Sequence, residues 1–201
     1  MMKLILATRN RHKIKEIEKI LADSQIEILT LEDFPDVPEV EETGKTLEEN
    51  AVLKAKAVYN ATGIPALTDD SGLEVDVLDG APGVMSARFA GPECSYKDNN
   101  LKLLELMEGI PEEKRGATFR CVVSIVLNQD DVRIVEGQVG GFITHKEIGE
   151  NGFGYDPVFF YPKLDKTFAE LKPEEKNRIS HRGIAFRKAK ELIRKIMSDN
   201  E

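Results

Sequence analysis

Lys3-Leu4-Ile5-Leu6-Ala7-Thr8 runs directly into Arg9-Asn10-Arg11-His12-Lys13 and then into Ile14, Ile17, Ile20 and Leu21. The first six residues form a short apolar run of the kind a buried strand presents. The spacing of the four aliphatics that follow predicts a helix over 10–22. The chain thus opens strand, tight turn, helix, the first step of an α/β fold. Working outward, a second strand is expected over 26–31, and Pro35 and Pro38 bracket an acidic loop that runs to Gly44. Thr46 and Glu49 form a T-x-x-E capping box. The helix it opens has Leu47, Ala51, Ala55 and Val58 on one face and ends near Gly63.

The rest of the chain keeps interspersing the two element types. Pro65 to Asp69 reads as a short strand ending in acids, and Gly72 to Leu78 as a half-buried strand, with Asp79-Gly80 a turn. Ser95 caps a helix through Met107, which Gly109 and Pro111 end. The β-branched runs 118–127 and 132–144, joined by Asn128 to Asp131, read as a long hairpin. Gly149 to Pro157 is glycine-rich and irregular, and Ser180 precedes a last helix with Ala185, Ala189, Leu192 and Ile196 on its apolar face. The expected fold is α/β: a mixed, twisted sheet with flanking helices, in two lobes around a central cleft, all within one domain spanning 1–201.

Composition bounds the function. A chain of 201 residues fits one domain at roughly 150 residues each, and 41% hydrophobic residues argue against extended disorder. No stretch reaches the ~18 apolar residues of a membrane span, and Met1 to Thr8 lacks the features of a secretion signal. Two cysteines, Cys94 and Cys121, make neither a disulfide framework nor a zinc site, so a reducing cytoplasm is expected. A net charge of -8 disfavours a nucleic acid polymer as partner. Locally, Glu27 to Glu49 holds nine carboxylates and one lysine, whereas Lys163 to Lys195 holds eleven basic residues against five acids. A polyanion accompanied by a divalent cation would use both segments; solvated helix faces are the other explanation.

Four constellations can carry chemistry. Thr8 to Lys13 stands where a helix N-terminus offers unpaired N–H groups, so it is either a phosphate cradle or an ordinary cap with a basic first turn. Asp69-Asp70-Ser71-Gly72 places adjacent carboxylates that repel unless a cation or hydrogen bonds compensate. They are hard ligands suited to Mg²⁺, with Glu41 or Glu42 as further oxygen donors, or else a D-S-G turn between two strands. Gly152-Phe153-Gly154-Tyr155-Asp156-Pro157 lets backbone approach a flat ligand on which Phe153 stacks; the alternative is a strained loop with two core aromatics. Ser180-His181-Arg182-Gly183, with Lys176 shortly before it, can bind phosphate or a base carbonyl, or is a Ser cap with an exposed basic turn. His12 and His145 read as surface residues, and Cys121 as an inert core residue.

In this order and spacing the blocks resemble the inosine triphosphate pyrophosphatase family, the XTP/dITP diphosphatases. The carriers are L-A-T-R-N-R-H-K (6–13), E-E-T-G-K-T-L-E-E-N-A (41–51), D-D-S-G-L-E-V (69–75), G-A-P-G-V-M-S-A-R-F-A-G (80–91), G-F-G-Y-D-P-V-F (152–159) and S-H-R-G (180–183). The resemblance covers nearly the whole chain. It implies Mg²⁺-dependent hydrolysis of XTP, ITP and dITP to the monophosphate and pyrophosphate, a cleft between two lobes, and a homodimer. It further implies that Thr8, Arg9, Asn10, Arg11, His12 and Lys13 hold the triphosphate, Arg9 and His12 without a side-chain role. Glu41 and Asp70 would bind the metal, and Asp70 would also be the general base. Ser71, Phe153, Gly154, Tyr155, Asp156, Lys176, His181 and Arg182 would complete the nucleotide site.

Two other classes compete. A glycosidase would use Asp69, Asp70 and the Glu41 segment as paired acids. It leaves the basic stretches unexplained and wants more aromatic platforms than 6% aromatics and no tryptophan provide. A non-catalytic nucleotide sensor would keep the phosphate and stacking elements without needing Asp70.

Overall fold

The computed structural model describes residues 2–22 and 26–199. Seven strands form one mixed sheet in the order β2-β1-β3-β4-β5-β6-β7. They are β1 (Met2–Leu6), β2 (Ile26–Thr30), β3 (Ala66–Val75), β4 (Gly116–Val126), β5 (Val132–Ile143), β6 (Phe159–Tyr161) and β7 (Lys166–Thr167). β1 runs parallel to β2, Met2 opposite Ile26 through Leu6 opposite Thr30, and parallel to β3 through Ile5–Ala66 and Leu6–Leu67. β5–β6 and β6–β7 are antiparallel. The 127–131 connection between β4 and β5 is too short for a parallel crossover, so the expected hairpin stands. Asn128 builds its turn by accepting the Asp130 and Asp131 N–H groups at 3.0 and 2.9 Å. Among the described residues no helix is long and apolar enough to cross a membrane.

The chain falls into two compact units. The first comprises the chain up to Asp70, Cys121–Gly137, and Arg182 onward; the second comprises Ser71–Arg120 and Gln138–His181. In the first unit, strand alternation sorts the core onto two faces. Leu4, Leu6, Leu67, Cys121, Val123 and Ile125 pack with Ile17 and Leu21 of α1 (Arg11–Leu21) and with Ala185, Phe186, Ala189 and Ile193 of α5 (His181–Asp199). Ile5, Ala7, Ala66 and Val126 pack instead with Ala55 and Val58 of α2 (Leu47–Thr62). The Thr46 cap of α2 is as expected, its side chain accepting the Glu49 N–H at 3.1 Å.

The second unit holds α3 (Tyr96–Leu106) and α4 (Pro173–Ile179). Its aromatic core joins Phe119, Phe159 and Phe168, with centroids 4.6 to 5.8 Å apart, and the His181 ring stacks on Phe119 at 4.5 Å. One expectation is corrected. β3 runs unbroken through Asp69-Asp70-Ser71-Gly72, so neither the D-S-G turn nor the break between two strands exists; residues 76–78 form a 3-10 turn. α4 was unforeseen, because a two-turn helix carries too little periodicity to be read.

One buried cation organises the second unit. The Arg115 side chain is 2% exposed, and carbonyls rather than carboxylates surround it. Its Nε donates to Ile143 O at 2.7 Å, Nη1 to Met107 O at 2.6 Å and Ile110 O at 3.3 Å, and Nη2 to Thr144 O at 2.7 Å. It thereby caps the end of α3 and ties it to the end of β5. Arg115→Met keeps bulk but leaves buried acceptors without donors, at about 1–3 kcal/mol each. Denaturant unfolding of this variant is expected to show a loss of roughly 3 kcal/mol or more; a loss below 1 kcal/mol would mean water replaces the guanidinium.

Candidate functional site

The turn from β1 into α1 is built by its own side chains. Thr8 Oγ1 accepts the Asn10 N–H at 3.2 Å, and Asn10 Oδ1 accepts those of His12 and Lys13 at 3.0 and 3.3 Å. Asn10 is thus a helix cap, and α1 carries no acid in its first turn. Arg9 Nη2 donates to Val37 O at 2.7 Å. Arg11 and His12 are exposed, Arg11 lying 3.5 Å from Glu32. Lys13 turns inward to Asp69 Oδ2 at 2.9 Å.

Asp69 and Asp70 are successive residues of β3, so their side chains leave opposite faces of the strand. Each meets its own cations. Asp69, 1% exposed, faces Lys13 on one side and Arg182 Nε at 3.5 Å on the other; Arg182 Nη1 is also held by Glu16 at 2.7 Å. Cys121 Sγ lies 3.8 Å from Asp69 Oδ2. Burial works to raise the Asp69 pKa, but the charges of Lys13, Arg182 and Lys54 outweigh it and hold the carboxyl well below the usual range. Arg182, for which burial opposes the charged form, is held charged by Asp69 and Glu16.

Asp70 meets α2. Lys54 Nζ lies 2.8 Å from Asp70 Oδ1, 2.8 Å from Glu42 Oε1 and 3.1 Å from the Asp69 carbonyl. Burial raises the Asp70 pKa and Glu42 adds to the shift, so its carboxyl sits above an ordinary aspartate despite Lys54. For Lys54 burial opposes the charge, and Asp70 and Glu42 outweigh it. Two carboxylates converging on one cation form a hard-oxygen donor set. That fits Mg²⁺, which takes one or two carboxylates and fills its other positions with water and substrate oxygens. Among the described residues no three His, Cys, Asp or Glu side chains cluster as a metal cage. The carboxylate brought to Asp70 is Glu42; the expected ligand Glu41 is exposed.

In the second unit the glycine-rich stretch forms a loop folded around Asp156. Asp156, 1% exposed, accepts the Phe153 N–H at 2.8 Å and Lys176 Nζ at 2.6 Å through the same oxygen. Gly152 has φ of +76°, and a Cβ there would strike the Asp156 carboxylate, so both its conformation and its space require glycine. Lys176 Nζ stands 4.8 Å over the Phe153 ring, and Tyr96 approaches that ring at 5.8 Å. Tyr155 donates its hydroxyl to Ser86 O at 2.9 Å. The structure therefore brings Phe153, Asp156 and Lys176 together, while His181 joins Phe119 and Arg182 joins Asp69. Ser71, half-buried, follows Asp70 on β3.

Residues 4–192 match the model of the Ham1 family. The chain belongs to the Ham1 family. It is 48% identical over 200 residues to a dITP/XTP pyrophosphatase of Desulforamulus reducens, with the whole of both chains covered. It is 50% identical over 186 residues to one from Geobacter sulfurreducens, covering 92% of this chain and 94% of the relative. A HAM1 protein structure from Coxiella burnetii superposes with a TM-score of 0.90 at 40% identity, covering 97% of this chain and all of the other. Relatives this similar over their full length make the chain an enzyme.

For this Ham1 chain, sequence reasoning missed Lys54; of the two glutamates weighed as oxygen donors, Glu42 is the one that meets it. Lys54 lies seven positions after Leu47 and so falls near the buried stripe of α2, a charge where the helix pattern wants an apolar residue; that was the available signal. The charges around Asp69 also generate a prediction. Asp69→Asn leaves Lys13 and Arg182 facing a neutral group in a buried setting, and about 3–5 kcal/mol of stability should be lost near neutral pH. The depressed carboxyl contributes stability above its unfolded pKa of ~3.9 and loses it as pH falls from there towards the folded value. Unfolding followed from pH 7 to pH 2 should show that acid-side slope in the wild type and a shallower one in the variant.

Proposed function

We propose that the protein hydrolyses XTP, ITP and dITP to the monophosphate and pyrophosphate, by attack of water on the α-phosphorus, and so removes deaminated purines from the nucleotide pool. The observation that carries the reading is the convergence of Asp70 and Glu42 on the Lys54 ammonium, in a chain matched end to end by a relative named dITP/XTP pyrophosphatase. Thr8 to Lys13 take the phosphates, and Phe153 to Asp156 take the base. Asp70 and Glu41 would hold Mg²⁺, with Glu42 close by as a further oxygen donor, and the ion would neutralise phosphate oxygens and polarise the phosphorus. Asp70 accepts the proton of the attacking water. Lys13 and the N-terminal turn of α1 donate to the triphosphate, and Lys54 balances the two carboxylates.

Phe153 offers a ring for the purine, a contact worth roughly 1–3 kcal/mol for any base. Discrimination rests on donors. Lys176 and Arg182 carry N–H groups and no acceptor, and His181 can add another donor, so they suit the O6 carbonyl of hypoxanthine or xanthine and face the amino group of adenine with nothing to accept it. Ser71 contacts the substrate beside Asp70. The protein acts in the cytoplasm as a homodimer, in keeping with the family resemblance.

The deciding measurement is a panel of XTP, ITP, dITP, GTP and ATP with magnesium, scoring pyrophosphate against orthophosphate. IMP and pyrophosphate are expected from ITP, with ATP and GTP turned over poorly; IDP and orthophosphate would overturn the proposal. Asp70→Asn keeps an oxygen for Lys54 but removes the base, and it should lower kcat by about 10²–10⁴-fold. Near-normal turnover at saturating magnesium would reassign the base.

A further inference from the structure

The block G-A-P-G-V-M-S-A-R-F-A-G over 80–91 has no role in the reaction outlined above, yet it lies within one unit against both segments that have one. We propose that Ser86 is a positioning residue, which fixes the part of β3 that follows Asp70 to the loop that carries Phe153. The inference rests on the reading of those segments as the catalytic strand and the nucleotide loop.

Ser86 is 8% exposed and uses both its hydroxyl and its carbonyl. Its Oγ accepts the Leu73 N–H at 2.9 Å and donates to Gly83 O at 2.6 Å. Its carbonyl accepts the Tyr155 hydroxyl at 2.9 Å. One residue therefore holds β3 on one side and the loop on the other. The approach to the strand is close: a Cβ on Gly72 would meet Gly83 O at 2.5 Å and Ser86 Oγ at 3.3 Å. Backbone pairing extends the seam, with Val75 N–H donating to Ala81 O at 3.2 Å.

The bridge is also backed from behind. Asn99 of α3 accepts the Ala90 N–H at 2.7 Å and donates to Ala87 O at 3.2 Å, and the next residue, Asn100, donates to Gly154 O at 3.1 Å. The same turn of helix thus grips the 83–91 segment and the loop. A phenol is a donor at neutral pH, and burial pushes that of Tyr155 further above its ordinary value. Packing alone would be served by alanine at 86 and phenylalanine at 155. What the two hydroxyls add is register: the position of Ser71-Gly72, next to Asp70 in the chain, is set relative to Phe153.

The test combines kinetics with amide exchange. Ser86→Ala is expected to lower kcat about 10- to 100-fold, the range that small misplacements of reacting groups produce, while KM moves less than about threefold. Ser86→Thr keeps the hydroxyl and should recover most of kcat. Tyr155→Phe should also lower kcat, and the double variant should be no slower than the slower single one, because both break one bridge. The structural readout is exchange of the Leu73 amide hydrogen. Tyr155→Phe removes no bond to Leu73, yet it should raise exchange there at least about tenfold if Ser86 links the two. Unchanged Leu73 protection in Tyr155→Phe overturns the proposal, as does a Ser86→Ala enzyme whose melting temperature falls while kcat stays normal. The kinetics use whichever triphosphate of the panel the wild type cleaves, so failure of ITP as a substrate counts against the substrate reading alone.

Discussion

The alternation of side chains along β3 is the constraint on which the charged half of the molecule depends. Two adjacent aspartates could not both stay ionised and buried on one face of a sheet. On a strand they leave opposite faces, and the two-sided packing of the first unit places α1 and α5 on one side and α2 on the other. Asp69 is paired with Lys13 and Arg182 from the first pair of helices, and Asp70 with Lys54 from the second. The result is two carboxylates of opposite character from neighbouring residues. One is locked in its charged form between cations; burial and Glu42 hold the other above an ordinary aspartate.

The second unit follows a different plan. Its important groups are aromatic rings and backbone carbonyls, ordered by a few buried polar side chains. Asp156 fixes the Phe153 backbone and the Lys176 ammonium with one oxygen, so the ring and the donor beside it are set together.

Much of this was legible beforehand, and the gaps have physical causes. The opening strand and helix, the Thr46 cap and the β4–β5 hairpin follow from periodicity and turn chemistry, which act over a few residues. The unbroken course of β3 did not, because D-S-G has strong turn character in isolation, and cations from three distant helices override it. Lys54 was hidden for the same reason: nothing local tells that a lysine on α2 will be buried against acids at 42 and 70. Glu41 and Glu42 are adjacent carboxylates, and only the folded loop determines which one turns inward. The roles of His181 and Arg182 separate likewise, the first joining an aromatic stack and the second an ion-pair network, although they are neighbours in the chain.

The guanidinium of Arg115 has a consequence for how the protein meets acid. Every acceptor around it is a peptide oxygen, which takes up no proton across the biological pH range. The grip on Asp69 is made of a carboxylate and is erased once that group is protonated. The junction of α3 with β5 is thus indifferent to acidification, whereas the joint between β3, α1 and α5 is sensitive to it. Because the cations hold the Asp69 carboxyl well below the usual range, that sensitivity is felt only in strong acid, below the pH at which an ordinary aspartate takes up its proton.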